Sequence, residues 1–417
     1  MQHLMTSRQR EMIAWVGRLA DTFAMRAREH DPDGSFPFDN YEDLRQAGYL
    51  TLTVPAELGG GGADLADLVL AQERLAMGDG ATALAVNMHV SPIGQWGSLW
   101  RETRDPGLED LLREVVAGRI VWASLTSEPG VPNMMMDSTT TATRVPGGYR
   151  IEGHKIFCTN SSIATHFSFS ARFEDPDRGP CLLLFRTRAD AEGVRFVQTW
   201  DTLGMRATQS NDLRLDGLFV PDRDLVHSLP VDHYDARILK TVFAWAMPTF
   251  GAVYLGIAAG AVEWARQSLI GRGRQHDPLV RQVFGEIEIL IETARAVLWR
   301  HAQDVISGAL FEQVPVQEGL ARCALAKSVP ANNSVEVMQR LVDVVGGAAY
   351  TRKLPLERMW RDVQGGPIMP YNNLATKQLL GAASLGLELH PTIPPEESGH
   401  QSRPQPWPPV GTGEPRH

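Results

Sequence analysis

The chain has 417 residues, and 43 % of them are hydrophobic, so it is long enough for two or three domains that each bury an apolar core. Its formal net charge is -9, from 40 basic and 49 acidic residues, so it has no general attraction to nucleic-acid phosphates or anionic membranes. The composition therefore predicts a soluble globular protein, and we expect neither nucleic-acid binding nor a transmembrane segment.

The cysteines and histidines give no sign of a disulfide framework or a metal site. Cys158, Cys181 and Cys323 are odd in number and too widely spaced for disulfides or paired zinc ligands. The histidines lack metal-ligand spacing. The first 28 residues mix charged with apolar side chains, unlike the apolar run of a signal peptide. We therefore expect a cytoplasmic protein without a bound metal.

Residues 1–120 are predicted to form an N-terminal α-helical domain. Apolar residues recur at helical spacing from Arg8 to about Glu29, and further helices are predicted through Tyr41–Ala47 and Ala63–Ala76. The four glycines at residues 59–62 lack the strand, glycine fingerprint and helix of a dinucleotide site. We interpret them as a loop.

Residues 121–228 are predicted to form a central antiparallel β-barrel domain. Short extended runs alternate there with Gly, Pro or Asp, for example in Tyr149–Cys158, Cys181–Thr187 and Asn211–Val220. The expected fold is therefore a multidomain α+β protein.

Helical periodicity returns after Arg237 and predicts a C-terminal four-helix bundle over residues 229–390. Within it, Thr241–Val262 is apolar on nearly every side, so we expect the bundle and another domain or subunit to cover this helix. Oligomerisation is the expected consequence. Residues 391–417 form a proline-rich tail with few packable side chains, which we expect to be disordered.

Four motifs follow one another along the chain: LTSEPG at 125–130, KIFCTNS at 155–161, TLGMRATQSNDLRLDGLFVP at 202–221, and a segment from Val342 to Asp362 that contains GG and PLERMWRD. They resemble the T-E-P-G, K-x-W-I-T-N-G, L-G-M-R-x-S and G-G-x-G-Y to P-x-E-R-x-x-R-D motifs of the acyl-CoA dehydrogenases. The resemblance spans residues 8–388. It implies a flavin-dependent oxidoreductase that binds FAD and assembles as a homotetramer or homodimer.

The resemblance also implies a set of flavin contacts. The loop of the first motif would meet the edge of the flavin ring, and the strand of the second would place an aromatic ring beside it with donors next to it. The glycine pair would let a second subunit approach the FAD diphosphate, and an arginine in GRGRQHDP, which departs from the family pattern, would reach a neighbouring FAD. The alternative for the second motif is an ordinary buried strand. The alternative for the glycine pair is a helix terminus. The implied cofactor contacts are Leu125, Thr126, Ser127, Phe157, Cys158, Thr159, Arg272, Gly346 and Gly347.

The usual catalytic glutamate has no counterpart in this sequence. In the family it removes the α-proton of an acyl thioester while hydride leaves the β-carbon for flavin N5. Counting along the family motifs places it at Pro370, or at Ala246 for the alternative helix position. Neither side chain accepts a proton, and Asp137 is only a distant candidate for the base.

Residues 79–94, DGATALAVNMHVSPIG, are similar to the flavin-dependent monooxygenase branch of the superfamily. Two functions therefore stay open. One is α,β-oxidation of an acyl-CoA or other acyl thioester, with an electron-transfer flavoprotein as partner. The other is reduced-flavin-dependent monooxygenation of a small organic substrate by C4a-hydroperoxide chemistry, with a flavin reductase as partner and FMN or FAD as exchanged cofactor. A non-catalytic flavin scaffold or nucleic-acid binder is a remote third.

Three of the candidate catalytic and substrate residues have a plainer alternative. His89 is equally a core histidine on an apolar helix, and Asn160 is equally a turn residue. A long cation at a β turn, such as Arg206, is more often a solvated side chain. The catalytic candidates are His89 and Asn160, and the substrate-binding candidates are Asn87, Ser91, Asn133 and Arg206.

Overall fold

Helices form the N-terminal part of the computed structural model, which describes residues 5–131, 133–236, 242–390 and 392–393. They are α1 (Ser7–His30), α2 (Phe38–Gln46), α3 (Leu65–Ala76), α4 (Gly80–Thr103) and α5 (Pro106–Val116). Polar side chains cap their first turns: the Asp64 carboxylate accepts from the Asp67 N–H at 2.9 Å, and the Asp79 carboxylate accepts from the Thr82 N–H at 3.2 Å. The predicted helical domain is confirmed, and residues 59–62 form a loop as expected.

The central part of the chain forms an eight-stranded sheet, followed by a separate two-stranded pairing. The strands are β1 (Trp122–Ser124), β2 (Thr141–Val145), β3 (Gly148–Lys155), β4 (His166–Asp175), β5 (Gly179–Arg188), β6 (Val194–Val197), β7 (Asp212–Pro221), β8 (Leu225–Pro230), β9 (Tyr234–Asp235) and β10 (Thr392–Ile393). The order in the large sheet is β6-β7-β3-β2-β4-β5-β8, and β1 also pairs with β4.

This sheet is mixed, which corrects the expectation of a purely antiparallel barrel. Trp122 of β1 lies opposite His166 of β4 in a parallel pair, and Thr141 of β2 is likewise parallel to Arg172 of β4. The other neighbouring strands of the large sheet are antiparallel. Parallel pairing is possible here because long connections separate these strands in the chain.

Within residues 242–390 the chain is again helical. The helices are α6 (Ala244–Gly271), α7 (Pro278–Ile306), α8 (Ala309–Glu312), α9 (Val316–Val345), α10 (Pro355–Val363) and α11 (Asn373–Ser384). The predicted apolar helix corresponds to α6, although Thr241 lies outside the described residues. Helices α7 and α9 pack on α6 from the C-terminal part, and α3 and α4 pack on it from the N-terminal part. The expectation that another domain covers this helix is confirmed.

The two helical parts share one apolar core. Leu68 and Leu75 of α3 are 0 % exposed, as is Val253 of α6, and all three belong to the same cluster. Burying side chains of this size stabilises the fold by about 1.5–3 kcal/mol each. Gly256 lets α6 approach α3, because a Cβ there would lie 2.2 Å from the Glu73 carbonyl oxygen.

Helix α6 is also the segment that most resembles a membrane span. It is long and apolar enough to cross a bilayer, but 83 % of its most apolar window is buried inside the fold, as in the core helix of a soluble protein. In the predicted tail, Thr392–Ile393 pairs in parallel with Tyr234–Asp235. Residue 391 and residues 394–417 lie outside the described residues.

Candidate active site

The LTSEPG loop leaves β1 and is fastened to the sheet by its backbone. The Leu125 N–H donates to the Ser168 carbonyl oxygen at 2.8 Å. The Ser127 carbonyl oxygen accepts from the Ile156 N–H at 2.9 Å. Because Ile156 belongs to KIFCTNS, the first two motifs lie side by side.

A buried ion pair anchors this loop. Glu128 pairs with Lys155 at the end of β3, and both side chains are at most 1 % exposed. The Glu128 carboxylate also accepts from the Thr139 hydroxyl at 2.5 Å and the Thr140 N–H at 3.2 Å. Burial raises the pKa of Glu128, but the Lys155 ammonium outweighs it and brings the pKa to about 2. Burial lowers the pKa of Lys155 to about 8, against the attraction of Glu128.

The second motif presents an aromatic ring beside the loop. Phe157 has a φ of 54° and is 58 % exposed, and its ring meets Trp200 edge-on at 5.8 Å. The Cys158 N–H donates to the Asn211 carbonyl oxygen at 3.0 Å, and the Thr159 N–H donates to the Phe157 carbonyl oxygen at 2.8 Å. The backbone N–H groups of Cys158 and Thr159 thus already have acceptors within the chain. The flavin contacts expected at these two residues stay predictions.

Thr126 and Ser127 keep donors that fit a flavin ring edge. Their hydroxyls donate to the Met134 sulfur at 3.1 and 3.4 Å. Among the described residues, no acceptor meets the backbone N–H of either residue. An isoalloxazine needs backbone donors at its edge and a flat side chain against one face, and this loop and Phe157 provide both. The residues present therefore fit a flavin.

Of the other implied FAD contacts, the glycine pair is open to a second subunit, whereas Arg272 is bound within its own helix. Gly346 and Gly347 are exposed, and nothing in the described chain lies within 4 Å of where their Cβ atoms would be. That leaves room for approach from outside this chain. Arg272 instead donates to the carbonyl and hydroxyl oxygens of Ser268, at 3.1 and 3.0 Å, and so caps its own helix. The FAD contact predicted for Arg272 has no support in this geometry.

The two candidate catalytic residues hold the start of β1. His89 is 0 % exposed; one ring nitrogen lies 2.9 Å from the Leu50 carbonyl oxygen, and the other accepts from the Trp122 N–H at 3.0 Å. Burial lowers the pKa of His89 to about 4, so the ring is neutral near pH 7. Asn160 accepts from the Tyr41 hydroxyl at 2.5 Å and donates to the Trp122 carbonyl oxygen at 2.8 Å. This geometry favours a supporting role for both over the predicted catalytic one.

Two of the candidate substrate residues join helices instead. Asn87 accepts from Gln72 at 3.0 Å and donates to the Thr249 hydroxyl at 3.1 Å. The Thr249 hydroxyl lies 3.5 Å from that of Ser91. All four side chains are buried where α3, α4 and α6 meet. Buried networks that join helices and binding sites both use residues such as asparagine and serine. The sequence alone therefore could not distinguish the two roles.

The third candidate, Asn133, does reach a cluster of aromatic side chains. Its amide donates to the Tyr234 hydroxyl at 3.4 Å, and that hydroxyl lies 3.4 Å from the Tyr371 hydroxyl. The Tyr371 ring stacks on Phe243 with centroids 5.4 Å apart, and Ala246 packs against the same group. We call Asn133, Tyr234, Phe243, Ala246 and Tyr371 the Tyr371 cluster. The sequence analysis missed its aromatic members, because only the fold brings them together.

Both positions at which the sequence analysis expects the family's glutamate lie at this cluster. Ala246 belongs to it, and Pro370 immediately precedes Tyr371. Burial raises the pKa of Tyr371 well above its usual value, so its phenol is a hydrogen-bond donor near neutral pH. Asp137, the distant candidate, instead forms a bidentate pair with Arg172 at 2.9 and 3.0 Å. None of the three candidate base positions therefore supplies a free proton acceptor.

The third and fourth motifs meet at a junction between the domains. Arg358 of α10 lies 3.3 Å from Asp79 and 3.4 Å from Asp362, and all three are buried. Asp79 caps α4, and Asp362 accepts from the Met205 N–H at 2.6 Å. The LGMR loop, α10 and the start of α4 are therefore held together by one arginine.

The candidate substrate residue Arg206 belongs to this junction. It donates to the Asp31 carbonyl oxygen at 3.0 Å and so ties the LGMR loop to the end of α1. Gly204 makes the close approach possible, because a Cβ there would lie 2.2 Å from the Arg361 carbonyl oxygen. In this structure Arg206 makes contacts within the chain, and the substrate contact expected for it stays a prediction.

Comparisons with known proteins agree with this architecture. The acyl-CoA dehydrogenase N-terminal domain model matches residues 6–103, the middle domain model matches 123–218 and the C-terminal domain model matches 248–367. An acyl-CoA dehydrogenase-like protein of Bacillus subtilis (strain 168) is 32 % identical over 375 residues, which are 87 % of this chain and 93 % of that protein. An amino sugar nitrososynthase of Streptomyces peucetius is 32 % identical over 394 residues, 90 % of this chain and 93 % of that protein.

A solved structure also matches along nearly the whole length. KijD3 in complex with FMN and dTDP-3-amino-2,3,6-trideoxy-4-keto-3-methyl-D-glucose has a TM-score of 0.80 at 29 % identity, covering 92 % of this chain and 95 % of that one. The domain order, the loop that fits a flavin edge and these matches agree with one another. The chain therefore belongs to the acyl-CoA dehydrogenase family and is a flavin-dependent oxidoreductase.

Proposed function

We propose that the protein is a reduced-flavin-dependent monooxygenase that acts on a small organic substrate. The observation that carries this proposal is the chemistry of the Tyr371 cluster. Pro370 and Ala246 stand at the two positions from which family dehydrogenases take the α-proton, and neither accepts one. An oxygenase needs no such base, so the same cluster is compatible with oxygen chemistry.

The chain's own residues have defined tasks in this proposal. Thr126 and Ser127 hold the ring edge of FMN or FAD, and Phe157 covers part of one face. The bound flavin supplies the electrons that activate oxygen, after reduction by a separate flavin reductase. The Tyr234 and Tyr371 phenols orient the substrate, and the apolar side chains around them exclude water. We place the reaction in the cytoplasm, in line with three free, buried cysteines.

The relatives support both candidate reactions. The nitrososynthase of Streptomyces peucetius favours oxygen transfer, whereas the protein of Bacillus subtilis favours the alternative, oxidation of an acyl thioester with an electron-transfer flavoprotein as acceptor. We favour oxygen transfer because Pro370 and Ala246, where we expect the family's glutamate, have no proton-accepting side chain. A dehydrogenase needs such a base.

Isotope labelling tests the proposal. Reduced FMN or FAD is generated by a flavin reductase under labelled oxygen, with a panel of aromatic heterocycles, organosulfur compounds and dTDP-linked amino sugars. We expect one labelled oxygen atom in the product of at least one compound, and none in reactions with free reduced flavin alone. If no product contains labelled oxygen while an acyl-CoA is oxidised, the result would favour the acyl-CoA dehydrogenase function.

Replacing Phe157 by alanine is expected to weaken flavin binding roughly two- to tenfold, the range for loss of one aromatic contact. Thermal stability should stay unchanged, since the ring is 58 % exposed. Flavin fluorescence quenching measures the dissociation constant. Phe219→Ala is the matched control, because Phe219 is 47 % exposed on β7, outside the LTSEPG and KIFCTNS motifs. Equal affinity for the Phe157→Ala variant and the wild type would remove Phe157 from the flavin site.

We also propose that the protein is a homotetramer or homodimer assembled through its C-terminal part. Large apolar side chains are exposed there, among them Tyr350 at 92 %, Leu374 at 74 % and Leu385 at 75 %. Tyr350 follows Gly346 and Gly347, at which the family admits a second subunit. Contiguous exposed apolar surface marks association sites, and we propose these side chains as parts of such a surface.

Tyr350→Lys is expected to weaken this association by about 2 kcal/mol or more, the effect of removing an interface anchor. Light scattering after size exclusion should then show a smaller species for the variant than for the wild type. Met25→Lys is the control, since Met25 is 68 % exposed on α1. A monomeric wild-type protein would overturn the proposal.

A further inference from the structure

A fully buried lysine lies behind the Tyr371 cluster. Lys327, on α9, is 0 % exposed. Its side-chain nitrogen donates to the carbonyl oxygens of Met369 and Tyr371 at 2.7 and 2.8 Å. These carbonyls flank Pro370, which stands at the family's glutamate position. Lys327 thus holds the turn that carries Pro370, where we expect the glutamate of the family dehydrogenases.

Nothing in the described part of the chain neutralises this lysine. No carboxylate lies within ion-pair distance of it among the described residues, whereas Lys155, equally buried, pairs with Glu128. Burial lowers the pKa of Lys327 to about 7. A buried ammonium without a counter-ion is costly, and buried groups with a shifted pKa are candidates for a functional role.

Uncharged contacts also hold this segment of the chain. Asn332 of α9 and Asn373 of α11 exchange two hydrogen bonds, at 3.0 and 2.7 Å. The Thr376 hydroxyl donates to the Tyr371 carbonyl oxygen at 3.3 Å. Uncharged contacts therefore already fasten this segment. What Lys327 adds is a pair of charge-assisted bonds that orient the two peptide groups on either side of Pro370.

We propose that Lys327 is the positioning residue of the substrate pocket: it fixes the Met369–Tyr371 turn and so directs the Tyr371 phenol as a donor to an oxygen or nitrogen acceptor on the substrate. The substrate part of this inference rests on the proposed function, whereas the coupling of Lys327 to Tyr371 does not. A buried ammonium and two phenol donors favour a neutral or anionic acceptor over a cationic one. The inference thus narrows the substrate class.

Other titratable groups also face this site. Tyr234 and Cys323 lie near Tyr371, and the Tyr234 ring meets His390 edge-on at 5.4 Å. Burial raises the pKa of Cys323 above its usual value, so that thiol stays neutral near pH 7. Because His390 contacts Tyr234, a pH experiment on this cluster needs a His390 variant as a control.

Fluorine NMR of protein labelled with 3-fluorotyrosine tests the coupling without flavin or substrate. The chain has 7 tyrosines, and Tyr371→Phe identifies the resonance of Tyr371. We expect that resonance to move through neutral pH in the wild type. Lys327→Met should abolish this movement and displace the resonance, while His390→Gln and Asn332→Ala should keep the movement. In Lys327→Arg, the Tyr371 resonance should stay at the position that it has in the wild type at low pH, because the guanidinium keeps its proton throughout this range.

A Tyr371 resonance unchanged in Lys327→Met, in position and in titration, would overturn the inference. Where Lys327→Met fails to fold, seen as collapse of the other resonances, the wild-type and Lys327→Arg titrations decide alone. Once an oxygenated product is known, Lys327→Met and Tyr371→Phe should lower kcat/KM by similar factors that do not multiply in the double variant. Multiplying effects would show that Lys327 does not act through Tyr371. Failure of the oxygen-labelling assay would leave the NMR result standing.

Discussion

Replacing Lys155 by methionine is expected to lower the free energy of unfolding by about 3–5 kcal/mol, because it leaves the Glu128 carboxylate buried without its counter-ion. Glu128 also holds the Thr139 and Thr140 backbone beside the LTSEPG loop, where we expect the flavin. The variant should therefore also bind flavin more weakly. Chemical denaturation and flavin titration measure the two effects.

A surface pair provides the control for Lys155→Met. Arg195 and Asp216 are 60 % and 58 % exposed, so Arg195→Met should cost less than about 1 kcal/mol. A Lys155→Met effect as small as that of Arg195→Met would contradict the anchoring role of the buried pair.

The pH dependence of the free energy of unfolding tests the same ion pair through its carboxylate, by comparison of the wild type with Glu128→Gln. The pKa of Glu128 is about 2 in the fold against an ordinary 4.5, so its ionised form stabilises the folded state. That contribution is fully present above pH 4.5 and is lost as the pH falls towards 2. The stability difference between wild type and Glu128→Gln should therefore shrink over this range, and a constant difference would contradict the assigned shift.

Arg358→Met is expected to destabilise the protein by a similar amount, about 3–5 kcal/mol, because Asp79 and Asp362 would stay buried without a cation between them. The loss should loosen the cap of α4 and the LGMR loop together, since Asp362 also accepts from the Met205 N–H. Thermal unfolding followed by circular dichroism measures the change.

The control for this junction is Arg266→Met. Arg266 is 50 % exposed and pairs with Glu263 on the surface of α6, so its loss should cost less than about 1 kcal/mol. A similarly small cost for Arg358→Met would mean that the three parts of the chain are held together by their apolar core without this arginine.

Local sequence patterns predicted the elements well but not their pairing. The helical periodicity of α1 and the all-round apolar surface of α6 are properties of consecutive residues, so they are visible before folding. The parallel pairing of β1 with β4 joins segments far apart in the chain, and extended runs give no direction. The mixed sheet therefore emerged only from the structure.

The site shows the same limit at the level of side chains. Thr126, Ser127 and Phe157 could be predicted as flavin contacts because motifs carry them, and their geometry fits that prediction. His89 and Asn87 have the residue types of a site, yet their polar atoms bind neighbouring protein groups, which no spacing reveals. Tyr371 and Lys327 lie outside the motifs, and only the packing of α9 against the turn after α10 shows their relation.

The most direct test of the central claim is the flavin absorbance of FAD-reconstituted protein mixed anaerobically with short, medium and branched acyl-CoAs. We predict that no thioester bleaches the flavin although dithionite does, because neither Pro370 nor Ala246 can take the α-proton. Bleaching by one acyl-CoA would overturn the proposed monooxygenase and show a dehydrogenase whose base lies elsewhere in the chain.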